Sequence, residues 1–483
     1  MKYLNNILNK VKITKSYGNT DIWIDNLQFD HRKVVANSLF VAQKGTKTDG
    51  HIFINQAIKC GANTVICETL PKQLNKNICY IQVQDSQVAL SAISSNFYNN
   101  PSTKLKLIGI TGTNGKTTIA TLLFQLFKEL GYKAGLISTL AIKIKNKTYT
   151  TEHTTPNSVS INKYLYQMIE KEVSHCFMEV SSHGIHQKRT EGLYFSGGVF
   201  TNLSHEHLDY HKNFATYRDI KKSFFSSLPK SAFALSNTDD KNGLLMLQNT
   251  QAKRQTYALK TMADYKAKLV EKNFTGTLLN INGTEVWTQL IGQFNAYNFL
   301  AIYATAKLLG LNQITLLKTL SSLKSVSGRF QCAISKNNIT AIVDYAHTPD
   351  ALKNVLQTIN DIRTGNENLI TVIGCGGDRD KTKRPKMASI ASQLSSHLVL
   401  TSDNPRTESP QAIIDDMKKG VPFENNNKTQ SILNRKQAIE IAFNLLKPGD
   451  IILIAGKGHE DYQEINGKRI PFNDMQQIKQ LFN

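Results

Sequence analysis

One local pattern limits what this chain can fold into more than any other. An apolar run, Leu105 to Ile110, leads into Gly112-Thr113-Asn114-Gly115-Lys116-Thr117-Thr118, and a helical pattern follows from Lys116 to Leu130, closed by Gly131. A short strand, a glycine loop and a helix in that order form one unit of a parallel α/β sheet. Glycines let backbone N–H groups approach phosphate oxygens. The helix start adds its positive end, Lys116 a cation, and Thr117 a hydroxyl suited to Mg²⁺. The loop departs from the general G-x-x-x-x-G-K-[ST] pattern, because Ile110 stands five residues before Gly115. The chemistry it predicts is ATP use.

With 483 residues the chain exceeds a single core, and roughly two to four domains are expected from length. Before the loop, short strands at Asn37 to Ala42, Thr64 to Glu68 and Ile78 to Val83 alternate with a helical stretch at Ile52 to Lys59. They read as a small α/β module that ends at Asn99-Asn100-Pro101. Beyond the loop, a strand at Cys176 to Val180 precedes Ser181-Ser182-His183, and a helix runs from Asn295 to Leu309. A second boundary falls near Ser327-Gly328-Arg329. After it, apolar runs at Thr340 to Asp344, Leu369 to Ile373, His397 to Thr401 and Asp450 to Ile454 alternate with helices. The expected fold class is α/β with three domains: a small N-terminal α/β domain (1–101), a central parallel-sheet P-loop ATPase domain (102–328) and a C-terminal doubly wound, Rossmann-like domain (329–483).

Composition excludes little else. The formal charge of +21 suits nucleic acid, a membrane surface or polyanionic small molecules, but Lys is spread along the chain and no nucleic-acid module accompanies it. No nucleic-acid partner is expected. Six cysteines without a C-x-x-C pair argue against zinc and disulfides, and fit a reducing compartment. The start, MKYLNNILNK, lacks an apolar signal core, and no run reaches the roughly 18 apolar residues of a membrane helix. A cytoplasmic monomer without membrane insertion is expected.

GTNGKTT in this form resembles the Mur ligase family, which includes the folylpolyglutamate synthases. Further motifs follow in family order: Met178-Glu179-Val180-Ser181-Ser182-His183-Gly184, then Asn202-Leu203 with His205-Glu206-His207-Leu208-Asp209-Tyr210-His211, then Asp344-Tyr345-Ala346-His347-Thr348-Pro349-Asp350. Glu206 replaces the usual Asp of the second. The resemblance implies enzymes that phosphorylate a carboxylate with ATP and let an amine attack the acyl phosphate. Glu179 and His207 are implied Mg²⁺ ligands beside Thr117, with Lys116 on the phosphates. Lys221 matches the family lysine that CO₂ converts to a carbamate (N6-carboxylysine), an oxygen ligand for a second Mg²⁺. That reaction needs a neutral amine, which a neighbouring cation such as Lys222 or Mg²⁺ would favour. Asn295 and Asn298 match the adenine side of ATP, and Arg329 and His347 would reach ATP from the C-terminal domain after closure.

Within the family, Thr154, Thr155, Ser181, Gln187 and Arg189 resemble the part that holds UDP-N-acetylmuramoyl-dipeptide. Phe29-Asp30-His31-Arg32, Leu39 to Ala42 and the Gly45–Gly50 turn, with Thr46, Lys47 and Thr48, resemble a uridine-binding domain. His31 stands where the subgroup has Ser. Asp403-Asn404-Pro405-Arg406, with Glu408 and Pro410, looks like the D-N-P-R motif of members that add meso-diaminopimelate. Arg406 would bind the distal carboxylate, which lysine lacks, as a bidentate fork. Arg379 aligns with a second contact, and Gly456 and Glu460 with the groups for the distal amino end. The rival expectations are the same reaction with L-lysine, folylpolyglutamate-type ligation, and a nucleic-acid-stimulated P-loop motor.

Overall fold

The computed structural model describes residues 1–482 apart from Thr46, Lys47, His205, His207 and Lys212, and only the backbone of Leu208 and Asp209. Three sheets carry the architecture. The N-terminal sheet contains β1 (Ile13–Tyr17), β2 (Asn26–Gln28), β3 (Ser38–Val41), β4 (Ala62–Cys67) and β5 (Cys79–Val83). Its order is β1-β5-β4-β3-β2, parallel except for β1. The expected helix at Ile52 begins as a 3₁₀ turn, Gly50–Phe53, and becomes α-helical at Ile54–Lys59.

The central sheet has eleven strands. These are β6 (Lys106–Thr111), β7 (Ala134–Ile137), β8 (Ile142–Ile144), β9 (Lys147–Tyr149), β10 (His175–Glu179) and β11 (Gly197–Phe200). They continue as β12 (Phe233–Asn237), β13 (Lys253–Ala258), β14 (Tyr265–Asn273), β15 (Gly276–Ile281) and β16 (Thr284–Thr288). The order is β9-β8-β7-β10-β6-β11-β12-β13-β14-β15-β16. The middle is parallel, as expected, but β8, β9, β15 and β16 pair antiparallel at the two ends. The cause is local. Asn282 (φ +49°) and Gly283 (φ +88°) form the two-residue turn that an Asn-Gly pair favours between strands.

Alternation along β6 builds the centre. Ile108 and Ile110 face the helices Lys116–Glu129 and Gln293–Leu308, and Leu107 faces the helices Ser158–Glu170 and Phe214–Ser226. A Cβ on Gly109 would lie 2.6 Å from the Phe224 ring. A bare glycine there lets the helix Phe214–Ser226 lie close against the strand that feeds the loop.

The C-terminal sheet contains β17 (Gln331–Ile334), β18 (Thr340–Asp344), β19 (Leu369–Ile373), β20 (His397–Thr401), β21 (Thr429–Ile432) and β22 (Ile451–Ala455). Its order is β17-β18-β22-β19-β20-β21, with only β17 antiparallel. Ile342, Leu369, Leu400 and Leu453 pack on one side, and Ala341, Val343, Ile370 and Ile452 on the other. Both faces are covered, so the sheet is doubly wound. No helix among the described residues is long and apolar enough to cross a membrane.

Candidate functional site

The phosphate loop joins β6 to the helix Lys116–Glu129. Gly112 has φ +148° and Gly115 φ +89°; a Cβ would come within 1.9 Å of Thr201 Oγ1 at the first and 2.5 Å of Asn298 Oδ1 at the second. Glycine is required at both. Thr113 N donates to the Asn202 carbonyl, and Asn202 Oδ1 accepts from Asn114 N at 2.9 Å, which fixes the loop from β11. Lys116 Nζ folds back on the carbonyls of Gly112 (2.8 Å) and Thr113 (2.6 Å). Burial holds its pKa below the usual lysine value, against the pull of Glu206 and Glu179.

Glu179 ends β10 fully buried. Its Oε2 accepts from Thr117 Oγ1 at 3.0 Å, and Thr139 donates to both of its oxygens. A buried hydroxyl and carboxylate in contact beside a phosphate loop form an oxygen donor set that fits a hard divalent cation. His207, the other expected ligand, lies outside the described residues. Among the described residues no three His, Cys, Asp or Glu side chains cluster as a metal site.

Lys221 is buried, with Nζ donating to the Gly112 carbonyl at 2.9 Å. That is the carbonyl Lys116 also uses. Burial and then the Lys116 charge put its pKa well below the usual lysine value. Lys222, one of the two cations expected beside it, instead points outward to Gln248. Adjacent residues on a helix face about 100° apart, so the cation that matters comes from another element.

From the C-terminal domain, the Arg329 guanidinium lies 4.5 Å from the Tyr345 ring centroid, with Nη2 3.4 Å from Thr117 Oγ1. The Asp350 carboxylate accepts from Asn114 Nδ2 at 3.1 Å. His347 donates from Nδ1 to the Tyr345 carbonyl, and burial holds its pKa down to about 4, so the ring is neutral at pH 7. These groups and Gly115, Thr118 and Asn298 line a cavity of about 680 Å³ between the central and C-terminal sheets. Asn295 is placed one layer behind, its Oδ1 accepting from Asn298 Nδ2. Sequence reasoning missed Asp239 and Tyr297 in the same cavity. Asp239 accepts from the amides of residues 259–261 and from Tyr297 Oη, and those hydrogen bonds hold it at about 2 despite burial. Thr238-Asp239-Asp240 directly after the apolar β12 was the available signal.

A second cavity, about 670 Å³, lies between the N-terminal and central sheets, lined by Phe29, Asp30, Arg32, Lys44, Gln187 and Arg189 among others. Arg189 is preset: Nη1 donates to the Thr155 carbonyl at 2.6 Å and Nη2 to Gln187 Oε1 at 2.6 Å. Thr155 itself is buried, bonding the Glu179 carbonyl and the Ser181 amide, while Thr154 accepts from Thr139. Ser181 caps the next short helix through Gly184 N. His31 stacks on Phe53 at 4.2 Å. The Thr48 carbonyl accepts from Gly45 N, closing the turn whose Thr46 and Lys47 lie outside the described residues.

The last group sits at the C-terminal ends of β19, β20 and β22, where open α/β sheets bind ligands. Arg406 Nη1 donates to the Gly377 carbonyl at 2.6 Å, and Pro405 packs against Gly377, where a Cβ would meet its carbonyl oxygen at 1.9 Å. Arg379 is exposed on the same loop, donating to the Asp378 carbonyl. Asn404 Nδ2 donates to Glu460 Oε2 at 2.7 Å, and Asp403 lies beside Gly456. Two residues that sequence reasoning passed over brace these loops. Buried Arg384 donates to both oxygens of Glu408 and to Asp416, and buried Lys457 bonds Asn404 and Glu460. Each stands close in sequence to an expected contact, Arg384 five residues after Arg379 and Lys457 directly after Gly456.

Three family models match the chain: Mur ligase family, catalytic domain (residues 24–123), Mur ligase middle domain (110–306) and Mur ligase, glutamate ligase domain (328–458). A protein of Cytophaga hutchinsonii named UDP-N-acetylmuramoyl-L-alanyl-D-glutamate–2,6-diaminopimelate ligase is 52% identical over 99% of this chain and 99% of its own. A solved structure of an enzyme with that same name superposes with a TM-score of 0.72 at 31% identity, covering 100% of this chain and 98% of the other. The Thermotoga maritima MurF ligase in complex with ADP shares the fold, with a TM-score of 0.62 at 16% identity over 90% of this chain and 94% of that one.

Proposed function

Because the chain belongs to the Mur ligase family, we propose that it joins meso-2,6-diaminopimelate to UDP-N-acetylmuramoyl-L-alanyl-D-glutamate at the expense of ATP. It does so as a single chain in the cytoplasm, making a peptidoglycan precursor, and no nucleic acid takes part. The observation that carries this reading is the placement of the Arg406 guanidinium and the Glu460 carboxylate on loops at the same end of one sheet, where Asn404 bonds Glu460 and Tyr462 feels both charges. A cation and an anion together complement an amino acid whose distal carbon bears both a carboxylate and an ammonium. We assign residues 1–101 to the UDP-sugar, 102–328 to ATP and 329–483 to the incoming amino acid.

The chain's own groups account for the chemistry. The loop amides and Lys116 take the ATP phosphates, with Lys116 turning from the carbonyls it now bonds. Thr117, Glu179 and His207 would hold one Mg²⁺ and the Lys221 carbamate would give an oxygen to a second; such ions, when bound, would neutralise phosphate charge. Forming the carbamate joins the neutral Lys221 amine to the carbon of CO₂ and releases one proton; the buried, charge-depressed site favours that neutral amine. Arg189 and Gln187, preset in the second cavity, hold the dipeptide so that its glutamate side-chain carboxylate attacks the γ-phosphorus and ADP leaves. The diaminopimelate amine then attacks the acyl carbon: the N–C bond forms, the C–O bond to phosphate breaks, and the amine gives up a proton. Arg329 and His347, reaching over from the C-terminal domain, keep water from the acyl phosphate.

The test is phosphate release from ATP with the UDP-muramoyl-dipeptide and a panel of diamino acids. Release that requires the dipeptide and meso-diaminopimelate supports the reading. Release that ignores the dipeptide and needs nucleic acid, or that runs faster with L-lysine, overturns it.

A further inference from the structure

We propose that Lys457 is a positioning residue of the amino-acid pocket, whose ammonium holds the Glu460 carboxylate turned toward the distal ammonium of the bound diamino acid. The proposal rests on the reading above and adds the group that sets one of its contacts.

Lys457 follows β22 and has no exposed side-chain surface. A buried lysine must find oxygen for its three protons or lose its charge. Here it finds three: Asn404 Oδ1 at 3.0 Å, Glu460 Oε2 at 3.2 Å and Asp403 Oδ1 at 3.5 Å. The backbone on either side cannot relax outward. Gly456 has φ +112°, with Asp403 Oδ2 2.8 Å from where a Cβ would stand; Gly458 has φ +55°, with the Gly328 carbonyl at 2.7 Å from such a Cβ. Asn404 Nδ2 donates to the same Glu460 Oε2, so both fixing contacts fall on one carboxylate oxygen, and the proposal gives the other, Oε1, to the ligand. Two carboxylates around one ammonium leave a net negative charge, the complement of one incoming ammonium.

The surroundings set how much depends on that ammonium. Glu460 is faced by Asp403, Lys457, Tyr345 and Tyr462, with the buried Arg435–Asp474 pair behind and Arg406 acting on Tyr462. Burial raises the Glu460 carboxyl above its ordinary value and Asp403 raises it further, while Lys457 and the Asn404 hydrogen bond pull it down. Without Lys457 the carboxyl rises, and a protonated Glu460 has no charge for an ammonium.

The experiment compares the whole enzyme with Lys457→Met from about pH 6 to about pH 9.5, measuring KM for each substrate and kcat. At pH 7 the variant should show KM for meso-diaminopimelate raised about thirtyfold, the scale of a lost charged contact. Its kcat and its KM for ATP and the UDP-dipeptide should stay within about threefold. The defect should shrink as pH rises, because the Glu460 carboxylate returns above its raised pKa. A defect of equal size at every pH, or no defect, overturns the proposal. If the variant shows no cooperative melt, the unaltered enzyme and Glu460→Gln decide. An unaltered enzyme whose KM for diaminopimelate is flat above about pH 6 supports the proposal. An acid limb above that pH, absent from Glu460→Gln, overturns it. An unaltered enzyme that prefers lysine sinks the functional reading itself, whereas one that prefers diaminopimelate with a pH-independent Lys457→Met defect sinks only this proposal.

Discussion

Arg406 adopts φ +53°, a left-handed conformation that costs an L side chain on the order of 1 kcal/mol. Glycine would sit there without strain, so the guanidinium is what the position supplies. Arg406→Gly should therefore melt above Arg406→Ala in a thermal scan, because only alanine keeps the strain. Both should lose about a hundredfold in kcat/KM for meso-diaminopimelate, while the low rate with lysine moves less than about threefold. Equal losses for both amino acids would remove Arg406 from specificity. At Lys221, Ala should abolish turnover, and small carboxylic acids should restore part of it by offering oxygen where the proposed carbamate would stand. Full activity without them would remove the carbamate from the mechanism. The loop Gly112 to Thr118 was legible because its parts are contiguous. The cation beside Lys221 was not, because helix geometry turns Lys222 outward and a separate element supplies Lys116.

At the scale of elements, the Arg406 loop and the Arg379 loop are held together by Arg384 and Glu408. Asp378 N donates to Glu408 Oε1 at 2.6 Å, and Arg384 donates to both Glu408 oxygens. The Arg384 hydrogen bond holds Glu408 down to about 2 from an ordinary 4.5. A depressed carboxyl stabilises the fold above its unfolded value and loses that contribution as pH falls through its folded one. The melting temperature of Glu408→Gln should thus lie furthest below that of the unaltered chain above about pH 4.5, and the gap should close toward about pH 2. A gap that is constant over this range would mean Glu408 acts by shape alone. In the parallel middle of the central sheet β7, β11, β12 and β13 went unread, whereas β3, β6, β10, β18, β19, β20 and β22 were readable from apolar runs within a residue or two at their ends. The antiparallel ends of the central sheet were not, since their strands are short and half-exposed and only Asn282-Gly283 marks one of the turns.

At the scale of the molecule, the cavity proposed for ATP is lined from both the central and the C-terminal sheets' loops. Arg329 to Thr117 and Asp350 to Asn114 are the contacts that bridge them at the phosphate loop. Arg329→Ala should raise KM for ATP about tenfold or more, with KM for the UDP-dipeptide within about threefold, since Arg329 lines the first cavity and not the second. A larger effect on the dipeptide than on ATP would contradict this division of labour. Pockets assembled from three sheets leave only scattered marks in a sequence. Asp239, Tyr297 and Lys457 are single residues far apart in the chain, and their roles follow from what the fold sets against them. The proposed specificity is for the diamino acid with two distal charges. The most direct measurement is a competition with equimolar meso-diaminopimelate and L-lysine, ATP and the UDP-muramoyl-dipeptide, with the tripeptide products weighed by mass spectrometry. Diaminopimelate product is expected in excess of about a hundredfold; equal products, or an excess of the lysine product, would rule that specificity out.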